Sequence, residues 1–128
     1  MKKILVIISF ALFPLLCEAS AISNAENVTC ERNKTYVIYE ASCFSDKCGK
    51  AKEFSGDNWL YFISSPKRFN SGSSTEKIFA SKIKKKFGEP FSPDVKTCFL
   101  TWAKANLYAE ERKAELELSD ENVISIYW

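Results

Sequence analysis

The side chains in this chain that could do chemistry are its cysteines and carboxylates, because none of its 128 residues is histidine. Without an imidazole, a Ser-His-Asp or Cys-His nucleophile cannot be built, and nearly all catalytic zinc sites are excluded. The sequence also lacks the Gly-x-x-x-x-Gly-Lys and Gly-x-Gly-x-x-Gly motifs that cradle phosphates. The chemistry that remains is that of two carboxylates flanking a cleft, as in glycosidases.

The candidates for such a pair are Glu40, Asp46, Glu53 and Asp57. Acidic residues spread along a chain are in most cases solvated surface charge, so their presence alone does not indicate a catalytic site. We therefore expect that the protein is not an enzyme and has no cofactor. A carboxylate-dependent glycosidase-like enzyme is the least favoured alternative.

The cysteine spacing predicts two disulfides. Cys30, Cys43, Cys48 and Cys98 follow the N-terminal segment, and an even number of cysteines is typical of a small exported domain. Three pairings are possible, and we favour Cys43–Cys48 as a local clasp with Cys30–Cys98 as a long bridge. A structural zinc site would need a second close pair or histidines, and a redox pair would need Cys-x-x-Cys spacing, so we expect neither.

The N-terminal segment predicts export. Two lysines, an apolar run and an Ala-x-Ala site indicate a cleaved secretory signal peptide over residues 1–21. Lipidation of Cys17 is the alternative, but Leu16 stands where a lipoprotein signal carries a small residue. We expect a periplasmic or secreted protein in which residues 22–128 form a single α+β domain, with a loose N-terminal arm over residues 22–33.

Hydrophobic periodicity predicts four strands and two helices in the order β-β-α-β-α-β. The strands are predicted at residues 36–39, 59–63, 95–102 and 123–128, and the helices at residues 74–87 and 102–118. The apolar run of residues 59–63 is typical of a strand that is covered on both faces. We expect an α+β fold, a small mixed sheet of about four strands with two helices packed mainly on one face. The strand-helix-strand-helix-strand order of the second half could give parallel neighbours through right-handed crossovers. A ferredoxin-like arrangement is the nearest common architecture.

The first helix has signals at both of its ends. Ser73 and Glu76 have capping-box spacing, and Gly88 supplies a left-handed cap. Its predicted buried stripe consists of Ile78, Phe79, Ile83 and Phe87. In the second helix, the predicted apolar face consists of Ala103, Leu107, Ala114 and Leu118.

Charge is distributed unevenly along a chain whose net charge without the leader is only +1, which argues against a nucleic-acid partner. The candidate binding surface is basic and comprises Lys67, Arg68, Lys77, Lys82, Lys84, Lys85 and Lys86. Six acids lie between Glu110 and Glu121, on or just after the second helix. The simpler interpretation is that both helices present solvated faces and that their opposite charges attract each other.

These observations favour an exported, disulfide-stabilised protein that binds another protein in the envelope or outside the cell. In size, leader and disulfides it resembles small exported inhibitors and immunity proteins of Gram-negative bacteria. The resemblance includes no shared motif, so it identifies no functional residue in this chain. The alternative is an envelope-associated accessory or virulence protein that binds an anionic polymer or lipid surface through its basic helix. We expect no metal and no membrane span, and the sequence specifies neither the partner nor an oligomeric state.

Overall fold

A mixed β-sheet forms the centre of the protein in the computed structural model, which describes residues 27–70 and 72–128. The predicted signal peptide and Cys17 lie outside the described residues, as does the side chain of Ser73 in the predicted capping box. In chain order the elements are β1 (Asn27–Val28), β2 (Tyr36–Phe44), a 3₁₀ segment (Ser45–Ala51), α1 (Lys52–Ser55), β3 (Trp59–Ser64), β4 (Lys67–Arg68), α2 (Gly72–Phe87), β5 (Val95–Phe99), α3 (Trp102–Leu118) and β6 (Asn122–Ile126). The predicted α+β class is confirmed, with six strands in place of four and a third, short helix.

The central strand of the sheet is β2. It pairs antiparallel with β3 on one side and with β5 on the other, and its first two residues also pair with β4. The full order is β1-β5-β2-β3-β6, and β6 joins β3 in parallel. Because β5 lies on the far side of β2 from β3, the expected parallel crossovers between consecutive strands are not formed, and the order is not ferredoxin-like.

Successive side chains of β2 alternate between two apolar layers. Val37 and Tyr39 belong to the layer that contains Phe79 and Ile83 of α2, and all four are fully buried. Ile38 belongs to the opposite layer, which α3 covers. The two long helices therefore cover opposite faces of the sheet, which differs from the expected packing on one face. The apolar run in β3 gives the reason, since a strand apolar on both faces needs a cover on each.

The ends of the long helices follow their local sequence. Gly88 adopts φ +86°, and its N–H donates to the carbonyl of Lys84 at 2.8 Å, which closes α2 with a left-handed cap. Before α3, the hydroxyl of Thr101 accepts the N–H of Lys104 at 3.2 Å, so a side chain caps the first turn. The bounds of α3 are those that the sequence predicts.

The buried stripes of the helices need two corrections. In α2, Phe79, Ile83 and Phe87 are buried as predicted, but Ile78 is 45% exposed. In α3, the four residues of the predicted apolar face are all exposed: Ala103, Leu107, Ala114 and Leu118. The buried residues of α3 are instead Ala105, Ala109 and Leu116. The small side chains of Ala105 and Ala109 allow the helix to lie close to the sheet, whereas Leu107 and Leu118 are exposed.

The predicted loose arm is tied down from residue 27 onward. Residues of β1 pair with β5, and Cys30 is bonded to Cys98 in that same strand. The second disulfide joins Cys43 to Cys48, so the connectivity is the one that the spacing favours. Two intrachain disulfides are compatible with an extracytoplasmic location. In the part of the chain that the structure describes, no helix has both the length and the apolar character that a membrane crossing needs.

Candidate functional site

The four acids considered for carboxylate chemistry are held apart in structural roles or lie in solvent. Glu40 is buried and paired with Arg112, while Asp46 forms an exposed ion pair with Lys52. Glu53 and Asp57 are exposed. None of the four lines either of the two grooves described below. Within residues 27–70 and 72–128, no group of three potential metal ligands comes together.

The ion pair of Glu40 and Arg112 joins β2 to α3. The Nη2 and Nε atoms of Arg112 donate to the two carboxylate oxygens of Glu40 at 2.9 and 3.2 Å. These hydrogen bonds raise the pKa of Arg112 above its usual value. The guanidinium also lies 5.8 Å from the ring centroid of Tyr61. With both of its oxygens bound by Arg112, the carboxylate of Glu40 attaches α3 to β2.

In the structure, the seven residues of the predicted basic surface do not form one continuous surface. The ammonium of Lys67 lies 5.3 Å from the ring centroid of Trp128. Arg68 donates to the hydroxyl of Tyr36 at 2.9 Å and to the carbonyl of Asn33 at 3.0 Å. These two cations of β4 are therefore engaged by their own neighbours. The five lysines of α2 do not share one face either, because only three of them line a common groove.

That groove, which we call the basic groove, lies between α2 and β6 and has a volume of about 400 Å³. Its lining residues are Lys82, Lys85, Lys86, Ser125, Ile126 and Tyr127. No acid lines it, and in the described residues no carboxylate lies within salt-bridge distance of its three lysines. Lys77 and Lys84 lie outside this groove. Because α2 and α3 cover opposite faces of the sheet, the expected attraction between the basic and the acidic helix is not seen.

A second groove, which we call the aromatic groove, lies at the C-terminal end of β2 and has a volume of about 520 Å³. Its lining residues include Ser42, Phe44, Lys47, Trp59, Phe91 and Asp94. Phe44 and Trp59 face each other across β2 and β3, with ring centroids 5.3 Å apart. They remain 44% and 43% exposed, so together they form a partly exposed aromatic patch.

The aromatic groove is held by several fixed contacts. Cys43, which also lines it, is bonded to Cys48, and this closes the turn that follows β2. The backbone N–H and the hydroxyl of Ser42 both donate to one oxygen of Asp94 at 3.2 Å. Phe91 stacks on the buried ring of Phe62, with centroids 5.4 Å apart. The walls of the groove are therefore attached to the sheet and to the core.

Sequence reasoning missed the aromatic groove. The available signal was the pairing of two aromatic residues at the shared end of an antiparallel pair of strands, and it becomes visible only when the register is known. Its surface combines two partly exposed rings with one cation, Lys47, and one anion, Asp94. Such a surface can bind an apolar side chain of another molecule. No protein-family model, curated protein or solved structure matches this chain.

Proposed function

We propose that this is an exported protein that acts by binding another protein through the aromatic groove, in the manner of an inhibitor or immunity-type protein. The observation that carries the proposal is the pair of partly exposed rings of Phe44 and Trp59 in a groove of fixed geometry. Tryptophan and other aromatic residues dominate the energetics of protein interfaces, because they bury a large area and lose little conformational freedom.

The surroundings of the rings also support protein binding. A central aromatic anchor with charged groups at its rim is the usual anatomy of a protein interface, and here Lys47 and Asp94 supply the rim. The anchor is attached to a disulfide-closed turn, so binding would order few additional residues. The predicted leader and the two disulfides support action in the periplasm or outside the cell, with a partner in the same compartment.

Alanine substitution in the aromatic groove tests the proposal. The mature protein is used to capture a partner from envelope and culture-fluid extracts, and the affinity for that partner is then measured. We expect Trp59→Ala to weaken binding at least tenfold, as the loss of an interface anchor does. Phe44→Ala should act in the same direction.

The matched control is Trp102→Ala, because Trp102 is 52% exposed but follows β5 at the opposite end of the sheet. This variant should bind like the wild type. Circular dichroism and thermal unfolding establish that all variants are folded. Folded Trp59→Ala protein that retains full affinity would refute the aromatic groove as the binding site.

A further inference from the structure

The strand β6 has an open outer edge beside the basic groove. Among the described residues, β3 is its only strand partner. The N–H of Ser65 donates to the carbonyl of Ile126 at 2.8 Å, so the backbone of Ile126 faces the sheet. Because backbone groups alternate in direction along a strand, the N–H and C=O groups of Val123 and Ser125 face outward. These groups can pair with an additional strand.

Three lysines of α2 flank this open edge. Lys85 and Lys86 follow Lys82 by three and four residues, so the three side chains lie on one side of the helix. They share the basic groove with Ser125 and Ile126. Like charges at this spacing repel one another, and the groove supplies no acid to offset them. The uncompensated charge therefore lies directly beside unpaired backbone groups.

We propose that β6 accepts an extended, acidic segment of a partner protein as an added strand. In strand addition, main-chain hydrogen bonds supply affinity, and contacts to alternate side chains supply specificity. Alternate side chains of an added strand lie about 6.6 Å apart, close to the rise of about 5.4 Å over one helical turn. Acids at every second position of the segment therefore match Lys82 and Lys86.

Lysines near a sheet edge can also serve to prevent unwanted strand pairing. In that role the charges usually stand on the edge strand itself. Here β6 has no charged residue, and the three lysines belong to a neighbouring helix. A charge placed beside an unprotected edge attracts a strand of opposite charge and rejects the others.

The probe for the proposal is a synthetic peptide of alternating glutamate and threonine, with an alternating glutamine and threonine peptide as its control. Titration at low salt should show binding of the acidic peptide only. The double variant Lys82→Gln/Lys86→Gln should lower the affinity at least tenfold. The matched variant Lys77→Gln/Lys84→Gln removes the same charge from the same helix outside the groove, and it should change the affinity less than twofold.

A substitution that changes the backbone of β6 distinguishes strand addition from simple attraction to an anionic polymer or lipid surface. Ser125→Pro removes an outward N–H, which an edge strand tolerates, and it should abolish binding. Ser125→Ala keeps this N–H and should bind normally. If Ser125→Pro does not fold, amide exchange of the wild type provides the readout, since the acidic peptide should slow exchange at Val123 and Ser125.

Three results would overturn the proposal. The first is no binding of the acidic peptide by the wild type. The second is equal weakening by the two lysine double variants. The third is unchanged binding by folded Ser125→Pro protein, or unchanged amide exchange at β6, which would assign the groove to anionic polymers or lipid surfaces.

Discussion

At the scale of single residues, Tyr39 is the most perturbed titratable group in the described part of the chain. Its side chain is fully buried between Phe79 and Trp128. Burial raises the pKa of Tyr39 to about 12, and the negative charge of Glu76 acts in the same direction. The hydroxyl lies near Thr75 but makes no hydrogen bond of normal geometry to any described residue. Folding therefore favours the protonated phenol.

Substitution of Tyr39 tests this assignment through the pH dependence of stability. An unfolded tyrosine ionises near pH 10, whereas folded Tyr39 keeps its proton to about pH 12. The native state then binds more protons than the unfolded state, so its stability falls as the pH rises from 10 to 12. Tyr39→Phe should remove this loss, which amounts to about 1 kcal/mol by pH 11. Urea unfolding at pH 8 and pH 11 measures it.

Tyr127→Phe is the control, because Tyr127 is 68% exposed. It should leave the pH dependence unchanged. Burial also raises the pKa of Tyr61, which is present in both variants, so the comparison concerns the difference from wild type rather than the absolute slope. Below pH 9, Tyr39→Phe should be neutral or stabilising, since the lost hydroxyl has no partner to leave unsatisfied. A destabilised Phe variant at pH 8 would contradict this description of the site.

The sequence indicated some of the residues that line the two grooves and not others. The three lysines of the basic groove were among the seven predicted, because clustered charge is visible in a sequence without a structure. Phe44 and Trp59 were not predicted as a site, because Phe44 lay beyond the predicted strand of residues 36–39 and Trp59 began an apolar run that was expected to be buried. Their exposure is a property of the tertiary packing.

At the scale of elements, α3 is attached to the sheet by an ion pair as well as by apolar contacts. Glu40 is 6% exposed, and its partner Arg112 occupies the same buried side of the helix as Ala109 and Leu116. A reading of periodicity that counts only large apolar residues cannot include an arginine in a buried stripe. This explains why the sequence predicted the bounds of α3 correctly and its buried face incorrectly.

Substitution of Arg112 should therefore destabilise the protein more than substitution of an exposed residue does. Arg112→Met leaves the carboxylate of Glu40 buried without a partner, which costs about 3 kcal/mol. The double variant Glu40→Leu/Arg112→Met should recover most of this loss, because it leaves no buried charge. Urea unfolding at neutral pH gives the free energies.

Glu115→Gln serves as the control for the ion pair. Glu115 also contacts Arg112, at 3.6 Å, but its side chain is 71% exposed. Its substitution should change stability by less than about 0.5 kcal/mol. An effect of Arg112→Met no larger than that of Glu115→Gln would show that the pair with Glu40 does not contribute to the attachment of α3.

At the scale of the whole molecule, the two disulfides constrain very different lengths of chain. Cys30–Cys98 spans 68 residues and connects the N-terminal arm to β5, whereas Cys43–Cys48 spans only 5 residues. In the chain-entropy account, the longer closed loop restricts the unfolded chain more and stabilises the native state more. The sequence was sufficient to favour this pairing, because a separation of five residues suits a local turn.

Removing each disulfide separately tests this difference. The variant Cys30→Ala/Cys98→Ala should lose about 4 kcal/mol, and Cys43→Ala/Cys48→Ala about 2 kcal/mol, when unfolding is measured under oxidising conditions. The mature wild type, which lacks the predicted signal peptide and Cys17, should show no free thiol when it is denatured without reductant. A larger loss for the short bridge would mean that it mainly supports native contacts around the aromatic groove.

The overall arrangement was predictable only in part. The apolar run of residues 59–63 indicated a strand covered on both faces, and α2 and α3 provide those covers. The order of strands was not predictable, because periodicity states which face is buried but not which strands are neighbours. The place of β5 beside β2 follows from long-range pairings such as Tyr36 with Phe99.

The parallel pairing of β6 with β3 determines when the sheet can be completed during folding. Leu60 pairs with Asn122, which follows α2, β5 and α3 in the chain, and pairings so distant in sequence form slowly. Until then, the edge of β3 is open and carries large apolar side chains, which makes it a template for pairing with other chains. A chain interrupted before Asn122 would therefore aggregate through β3 instead of folding into a smaller monomer.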